Sequence, residues 1–319
     1  MPLLQLVVDT DTGIDDALAL ILLASRPEVE LVAVTTTHGN CSTEQATANA
    51  RRVLAVCGLR NVPVVGGLSA PLAGELSVAW FVHGHDGLGD CGEGPPPAPA
   101  ATAGESAVEI LLDLAGERPG ELHLLALGPL TNLGAAVRID PGVLDAFVSV
   151  TVMGGTGRRL APGEPDPTHG VGDPNTYHDA EAARLVASAP GRITLAGVDV
   201  TMGVAAGDDC LARIAAATTT HGRFANRIAA FYVDFYERTY GRRALTLHDP
   251  VAAAVAAALD IGATFTEGRA VVEGPEGHER CVLEPATEGQ RVTRALIGCD
   301  AALMAEHLTA ALEGPLRRP

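Results

Sequence analysis

Val7-Val8-Asp9-Thr10-Asp11-Thr12-Gly13-Ile14-Asp15-Asp16-Ala17 places four carboxylates within eight residues, where an apolar run at 3–8 meets a helix-forming run at 17–24. The first run is short enough for a strand, and Gly13 supplies the turn into the helix. A strand that passes through a tight turn into a helix is the repeating unit of an open α/β sheet. In such sheets ligands collect beyond the carboxyl ends of the strands. Like charge at this density, flanked by apolar residues on both sides, calls for a cation. Asp15 and Asp16 are adjacent at a helix start, so their side chains diverge by about 100°. One of them can hold a metal while its neighbour faces a substrate. Helix capping explains one or two of these acids but not four.

The chain has 319 residues and is 47% hydrophobic, ample for a sizeable core, and 1–319 reads as a single domain. A formal charge of −17 argues against nucleic acid or an anionic membrane surface as partner. It fits a small neutral or cationic ligand, or a bound metal. All 22 basic residues are Arg, and the absence of Lys excludes Schiff-base chemistry and the lysine of a phosphate-binding loop. Six widely spread cysteines without a CxxC pair indicate neither a zinc site nor a disulfide framework, and read as reduced thiols. The N-terminus enters a strand without the basic and apolar segments of a signal peptide, and no apolar run reaches the ~20 residues that span a bilayer. A soluble, cytoplasmic protein is expected.

Apolar strand-like runs at 29–36, 122–127, 147–153 and 193–198 alternate with helical runs at 44–57, 130–137, 179–189 and 208–217. This alternation predicts an open, mostly parallel sheet with helices on both faces. The Pro-rich stretch 94–99 reads as a surface loop, and 161–173 as a second long loop of the kind that often serves as a lid. Residues 222–240 form a long helix carrying six of the chain's ten Phe and Tyr. Segments 270–272, 280–283 and 292–297 predict antiparallel strands near the C-terminus, followed by a helix at 300–312.

Four further motifs end strands or open helices. Thr36-Thr37-His38-Gly39-Asn40 leaves an Asn at a strand end, able to bond a ligand hydroxyl or to cap the next helix. His83-Gly84-His85-Asp86-Gly87-Leu88-Gly89-Asp90 suits a substrate-facing loop. Leu127-Gly128-Pro129-Leu130-Thr131-Asn132 is an ordinary strand-to-helix turn that can also present a carbonyl. Leu247-His248-Asp249-Pro250 opens an apolar helix at 251–259, with Pro250 acceptable at its first position and Asp249 as N-cap. The same His-Asp pair also sets a proton donor beside a metal ligand.

Taken in order with Val152-Met153-Gly154-Gly155, these motifs closely resemble the inosine-uridine preferring nucleoside hydrolases over nearly the whole chain. The resemblance implies a calcium-dependent enzyme that hydrolyses the N-glycosidic bond of ribonucleosides, as a homodimer or homotetramer. It implies Asp11, Asp16, the main-chain carbonyl of Leu127 and Asp249 as Ca²⁺ ligands, an oxygen set of the kind calcium prefers. Asp15, Asn40 and Asn175 would contact the ribose diol, and Met153 would line the sugar pocket. Asp11 would be the general base and His248 the general acid, with Tyr236 and His83 near the nucleobase. The resemblance departs at the 5′ end, where the family's Glu-aromatic-Asn becomes Asp173-Pro174-Asn175. Asp173 then stands where the family's Glu would meet the 5′ hydroxyl. Either this loop takes a different pose or the substrate is altered at that end, with Arg158 and Arg159 as candidates for an anionic substituent. Two other functions share part of the pattern: a Mg²⁺-dependent haloacid-dehalogenase-like phosphatase, through Asp9-Thr10-Asp11, and a non-catalytic nucleoside binder that would not need His248.

Overall fold

The acidic stretch runs from a strand, Leu4–Thr10 (β1), into a helix, Ile14–Ala24 (α1), across the turn at Gly13. The computed structural model describes residues 3–92, 106–161, 163–166, 168, 170 and 172–316, so the expected loop at 94–99 lies outside them. Every residue of α1 from Ile14 to Leu23 is buried, as befits a helix apolar on all sides.

Next come Val29–Thr36 (β2), Thr43–Val56 (α2), Val64–Gly66 (β3), Trp80–His83 (α3), Ala107–Glu117 (α4), His123–Ala126 (β4) and Thr131–Ile139 (α5). They are followed by Ser149–Met153 (β5), Pro174–Tyr177 (α6), Ala180–Ser188 (α7), Ile193–Ala196 (β6), Val198–Thr201 (α8), Ala205–Ala206 (β7) and Asp208–Ala216 (α9). The last third holds Thr220–Tyr240 (α10), Leu245–Thr246 (β8), His248–Ala256 (α11), Thr264–Glu273 (β9), Arg280–Glu284 (β10), Thr293–Gly298 (β11) and Ala301–Glu313 (α12).

Among the described residues nine strands form one sheet in the order β10-β9-β11-β6-β5-β4-β1-β2-β3, and β7 pairs with β8 separately. All neighbours from β11 through β3 are parallel, while β9 runs antiparallel to both β11 and β10. The strand order reverses at β1, which has β2 on one side and β4 on the other. A crevice opens at such a reversal, beyond the carboxyl ends of the strands. The acidic turn after β1 therefore faces the loops that follow β2 and β4.

One core packs α1 with α10, α11 and α12 on one side of the sheet, and a second packs α4, α5 and α7 on the other. In α10 the inward stripe is Phe224, Ile228, Tyr232 and Tyr236, one residue every four positions. Thr219 caps its start through the Gly222 N–H, and Gly241 ends it in the left-handed conformation at φ 64°. α10 thus carries two tyrosines toward the crevice.

The expected elements recur with ends moved by a few residues, apart from one helix start. α11 begins at His248, with Leu247 as its N-cap and Pro250 inside the first turn. Pro250 is therefore not the first helical residue, and Asp249 is not the cap. A proline is tolerated there because the N–H groups of the first turn have no intrahelical acceptor. Among the described residues no helix is long and apolar enough to cross a membrane.

Candidate functional site

Asp11 comes from the β1–α1 turn, Asp15 and Asp16 from the first turn of α1, and Asp249 from the first turn of α11, which packs against α1. All four are buried. One carboxylate oxygen from each of Asp15, Asp16 and Asp249 lies within 4.8 Å of the others, and Asp11 is joined to Asp16 through Asn40, which bonds both.

Asp16 is the most fully held. Its Oδ1 accepts the Thr10 hydroxyl at 2.5 Å, and its Oδ2 accepts the Gly13 N–H and Asn40 Nδ2, both at 2.9 Å. Asp11 Oδ2 accepts the Asn40 N–H at 2.7 Å, and Asp15 Oδ2 accepts the Tyr232 hydroxyl at 3.3 Å. Asp11 Oδ1 and Asp15 Oδ1 are buried without any partner. Burial, and then the neighbouring carboxylates, push Asp15 up to about 8 and raise Asp11 and Asp249 well above the usual range. A cluster of this kind must take up protons or a cation. Its donors are all oxygen, which suits a hard ion such as Ca²⁺ or Mg²⁺ rather than zinc or copper. The orphaned oxygens of Asp11 and Asp15 fit that demand.

Two glycines keep Asp11 in place by close approach. A Cβ on Gly39 (φ 148°) would overlap the Asp11 carboxylate, and one on Gly128 would sit 2.9 Å from its Cγ. Residue Asp9 points elsewhere: its Oδ1 accepts the Thr35 hydroxyl at 2.6 Å and Asn132 Nδ2 at 2.8 Å, so it braces the strand ends behind the cluster.

A cleft of about 540 Å³ opens over these carboxylates. Its acidic end exposes Asp15, Asp249, Asn40, Asn175, Met153 and Leu127. The Leu127 carbonyl accepts Asn175 Nδ2 at 2.6 Å, and the same nitrogen reaches the Met153 carbonyl at 3.1 Å. The opposite end is aromatic, with Phe81, Tyr177, Tyr232, Phe235, Tyr236 and Tyr240. Among the described residues no Arg lines the cleft; carboxylates stand at one end and π faces at the other.

Among the described residues three histidines line the same space. Burial lowers His83 to about 3 and His248 to about 4, so both are neutral near pH 7. His83 Nδ1 accepts the Ile14 N–H at 3.1 Å. That nitrogen is therefore an acceptor, and its 3.9 Å separation from Asp15 Oδ1 is not an ion pair. His248 is held at both nitrogens, by Thr201 Oγ1 at 2.7 Å from Nδ1 and by Tyr236 Oη at 2.9 Å from Nε2. His178 completes the set at the aromatic end.

The structure thus brings together Asp11, Asp15, Asp16, Asn40, His83, Leu127, Met153, Asn175, Tyr236, His248 and Asp249. Asp173 is the exception. Its Oδ2 accepts the N–H groups of Gly155 and Cys281, each at 3.0 Å, and it does not line the cleft. The Asp173 carboxylate thus faces inward onto backbone donors rather than into the cleft. Arg158 and Arg159 are likewise taken, the first by Glu164 and the second by Glu273 and Glu284. Sequence reasoning missed Tyr232 and Thr201, which hold Asp15 and His248. The four-residue spacing within α10 was the available signal for Tyr232. Nothing local marks Thr201.

A family model described as inosine-uridine preferring nucleoside hydrolase matches residues 6–304. The chain is similar to uridine nucleosidase 1 of Arabidopsis thaliana, with 37% identity over 248 residues covering 77% of this chain and 72% of that protein. It is similar to the inosine-uridine preferring nucleoside hydrolase of Leishmania major, with 35% identity over 254 residues covering 78% and 77%. Among solved structures, a purine-preferring ribonucleoside hydrolase from Gardnerella vaginalis aligns with a TM-score of 0.86 at 27% identity, covering 98% of this chain and 99% of that one.

Proposed function

We propose, from the premise that this chain belongs to the inosine-uridine preferring nucleoside hydrolase family, that its four-carboxylate pocket seats Ca²⁺ and the 2′,3′ diol of a ribonucleoside. The chain hydrolyses the N-glycosidic bond of ribonucleosides to ribose and a free base. One observation carries the assignment of roles: the buried, unpartnered Oδ1 atoms of Asp11 and Asp15 beside Asp16 and Asp249. Asp11, Asp16, Asp249 and the Leu127 carbonyl would hold the ion, which would neutralise the cluster and supply Lewis-acid polarisation of water and diol.

Asp11 accepts the proton of the attacking water through Oδ1, the oxygen that no protein group holds. Asp15 receives a ribose hydroxyl at Oδ1 while Tyr232 holds its other oxygen. Asn40 and Asn175 add amide contacts to the sugar. As the C1′–N bond lengthens, the ribosyl group gains positive charge, which the surrounding carboxylates favour over the neutral ground state.

The departing base needs a proton. We assign His248 the tautomer with its hydrogen on Nε2, in which Nδ1 accepts from Thr201 and Nε2 donates to the Tyr236 oxygen. The Tyr236 hydroxyl proton is then directed at the base, with His248 behind it rather than against the leaving group. Since both Arg158 and Arg159 have carboxylate partners, the substrate is read as a nucleoside without a 5′ phosphate. A homodimer or homotetramer in the cytoplasm is the expected setting, the first point open to light scattering.

The test is base release from inosine, uridine and their 2′-deoxy counterparts after chelation and after Ca²⁺ is restored. Ribonucleosides should be cleaved only with the ion present. The 2′-deoxy compounds should react at least about 100-fold more slowly, because Asp15 then loses its partner. Equal rates on both sugars would refute the diol seat.

A further inference from the structure

Behind the cleft one fully buried carboxylate, Asp179, collects donors from two other segments and from the helix it caps. Its Oδ2 accepts the Thr131 hydroxyl and the Leu72 N–H, each at 2.8 Å, and its Oδ1 accepts the Ala182 N–H at 3.0 Å. Counting protons orders the chain beyond it. The carboxylate only accepts, so Thr131 gives it its single hydroxyl proton and must itself accept from His38 Nε2, 3.1 Å away. His38 and Thr131 are also fully buried, and none of the three lines the cleft.

Each segment tied here leads into the site. His38 lies two residues before Asn40, which bonds Asp11 through its N–H and Asp16 through Nδ2. Thr131 opens α5, four residues after the Leu127 carbonyl. Leu72 precedes the cleft wall at 77–82, and Asp179 directly follows Asn175, Tyr177 and His178, all of which line the cleft. Capping α7 occupies only Asp179 Oδ1, through Ala182. The Thr131 and His38 links serve no helix end.

We propose that Asp179, acting through Thr131 and His38, is a positioning hub that holds the Asn40 loop and the Leu127 loop at a fixed separation around the sugar seat. It touches neither substrate nor ion, and it rests on the reading of the carboxylate pocket as the seat of diol and Ca²⁺. Removing the Thr131 hydroxyl lets the two loops drift apart, which misplaces the sugar contacts and the carbonyl together. Groups that hold ligands from behind typically matter 10–100-fold to metal affinity or activity.

The experiment compares Thr131→Val, which keeps the shape but loses both bonds, with Thr131→Ser, which keeps them, and His38→Leu, which cuts only the outer link. For each, kcat and KM on inosine are measured together with Ca²⁺ affinity by calorimetry and the melting temperature. Thr131→Val should lose at least 10-fold in kcat with KM changed less than threefold, and bind Ca²⁺ about 10-fold more weakly. Thr131→Ser should stay within threefold of the parent, and His38→Leu should fall between. A lower melting temperature with kcat and Ca²⁺ affinity within twofold overturns the hub. If Thr131→Val does not fold, His38→Leu decides: parental kcat and Ca²⁺ affinity overturn the proposal. Absence of base release by the unaltered enzyme refutes the hydrolase roles instead, and the calorimetric difference still reports on the hub.

Discussion

Tyr236→Phe removes one oxygen from the cleft and leaves the ring against Tyr232 (centroids 4.9 Å apart) and under Arg242 (5.9 Å). Two costs follow from the 2.9 Å bond to His248 Nε2. The first is chemical: a positioned general acid contributes roughly 10²–10⁴ in rate, or about 3–5 kcal/mol of barrier. The second is structural: a buried imidazole nitrogen is left without a partner, worth about 1–3 kcal/mol of stability. Assays well below the melting temperature separate them. On inosine and uridine kcat/KM should fall at least 100-fold. On a nitrophenyl riboside, whose leaving group departs without a proton, it should fall less than threefold. Thr201→Val should act in the same direction but more weakly, and the double variant should be no worse than Tyr236→Phe alone, because the chain is already cut. An equal loss on both kinds of substrate, or additive losses, would refute the Thr201–His248–Tyr236 hydrogen-bond chain behind the acid.

Asp16→Asn should abolish the rise in melting temperature that Ca²⁺ gives the chelated protein, a stabilisation of about 2.7 kcal/mol when the ion stands at 100 times its Kd; an undiminished rise would place the ion elsewhere. Asp173→Ala leaves two buried N–H groups unpaired and should lower stability by about 2 kcal/mol or more while leaving kcat/KM within threefold. A tenfold kinetic loss without destabilisation would return Asp173 to the substrate. His178 is held down to about 4 by burial, with a smaller contribution from His38. Its folded pKa is below the ordinary 6.5, so the stability it contributes is full above that value and is lost as pH falls from 6.5 toward 4, about 3 kcal/mol in all. His178→Gln should flatten the acid limb of melting temperature against pH over that window, and an unchanged slope would contradict the assignment.

What could be read in advance followed the range of each interaction. β1, α1 and the parallel strands are written in runs of apolar residues, and the four Asp announce themselves by density. β3 and the β7–β8 pair are two or three residues long, too short for any periodicity, and exist because neighbouring strands offer partners. The Asp173 position shows the harder limit. The resemblance marked it as a substrate carboxylate, yet the side chain bonds the N–H groups of Gly155 and Cys281, and the distance to Cys281 in sequence hides that choice. His248 was visible from its motif and Tyr236 only through the resemblance. Their bond was not, since it joins two helices.

The packing of α11 on α1 has a consequence for the order in which the molecule is made. Asp249 follows Asp16 by 233 positions, and at roughly 5–20 residues per second a ribosome needs on the order of 10–50 s to cover that interval. Throughout it the first three carboxylates sit at the end of a strand whose adjoining helix is apolar on every side and lacks its later neighbours. Water can still screen their mutual repulsion then. Only when the last third of the chain emerges can α11 cover α1 and bring Asp249 to the other carboxylates, so the gathering of the acidic cluster and the closing of the core arrive in one late event. A nascent chain halted before His248 would display an uncovered greasy helix beside an incomplete acidic ring, which chaperones and proteases can recognise as unfinished.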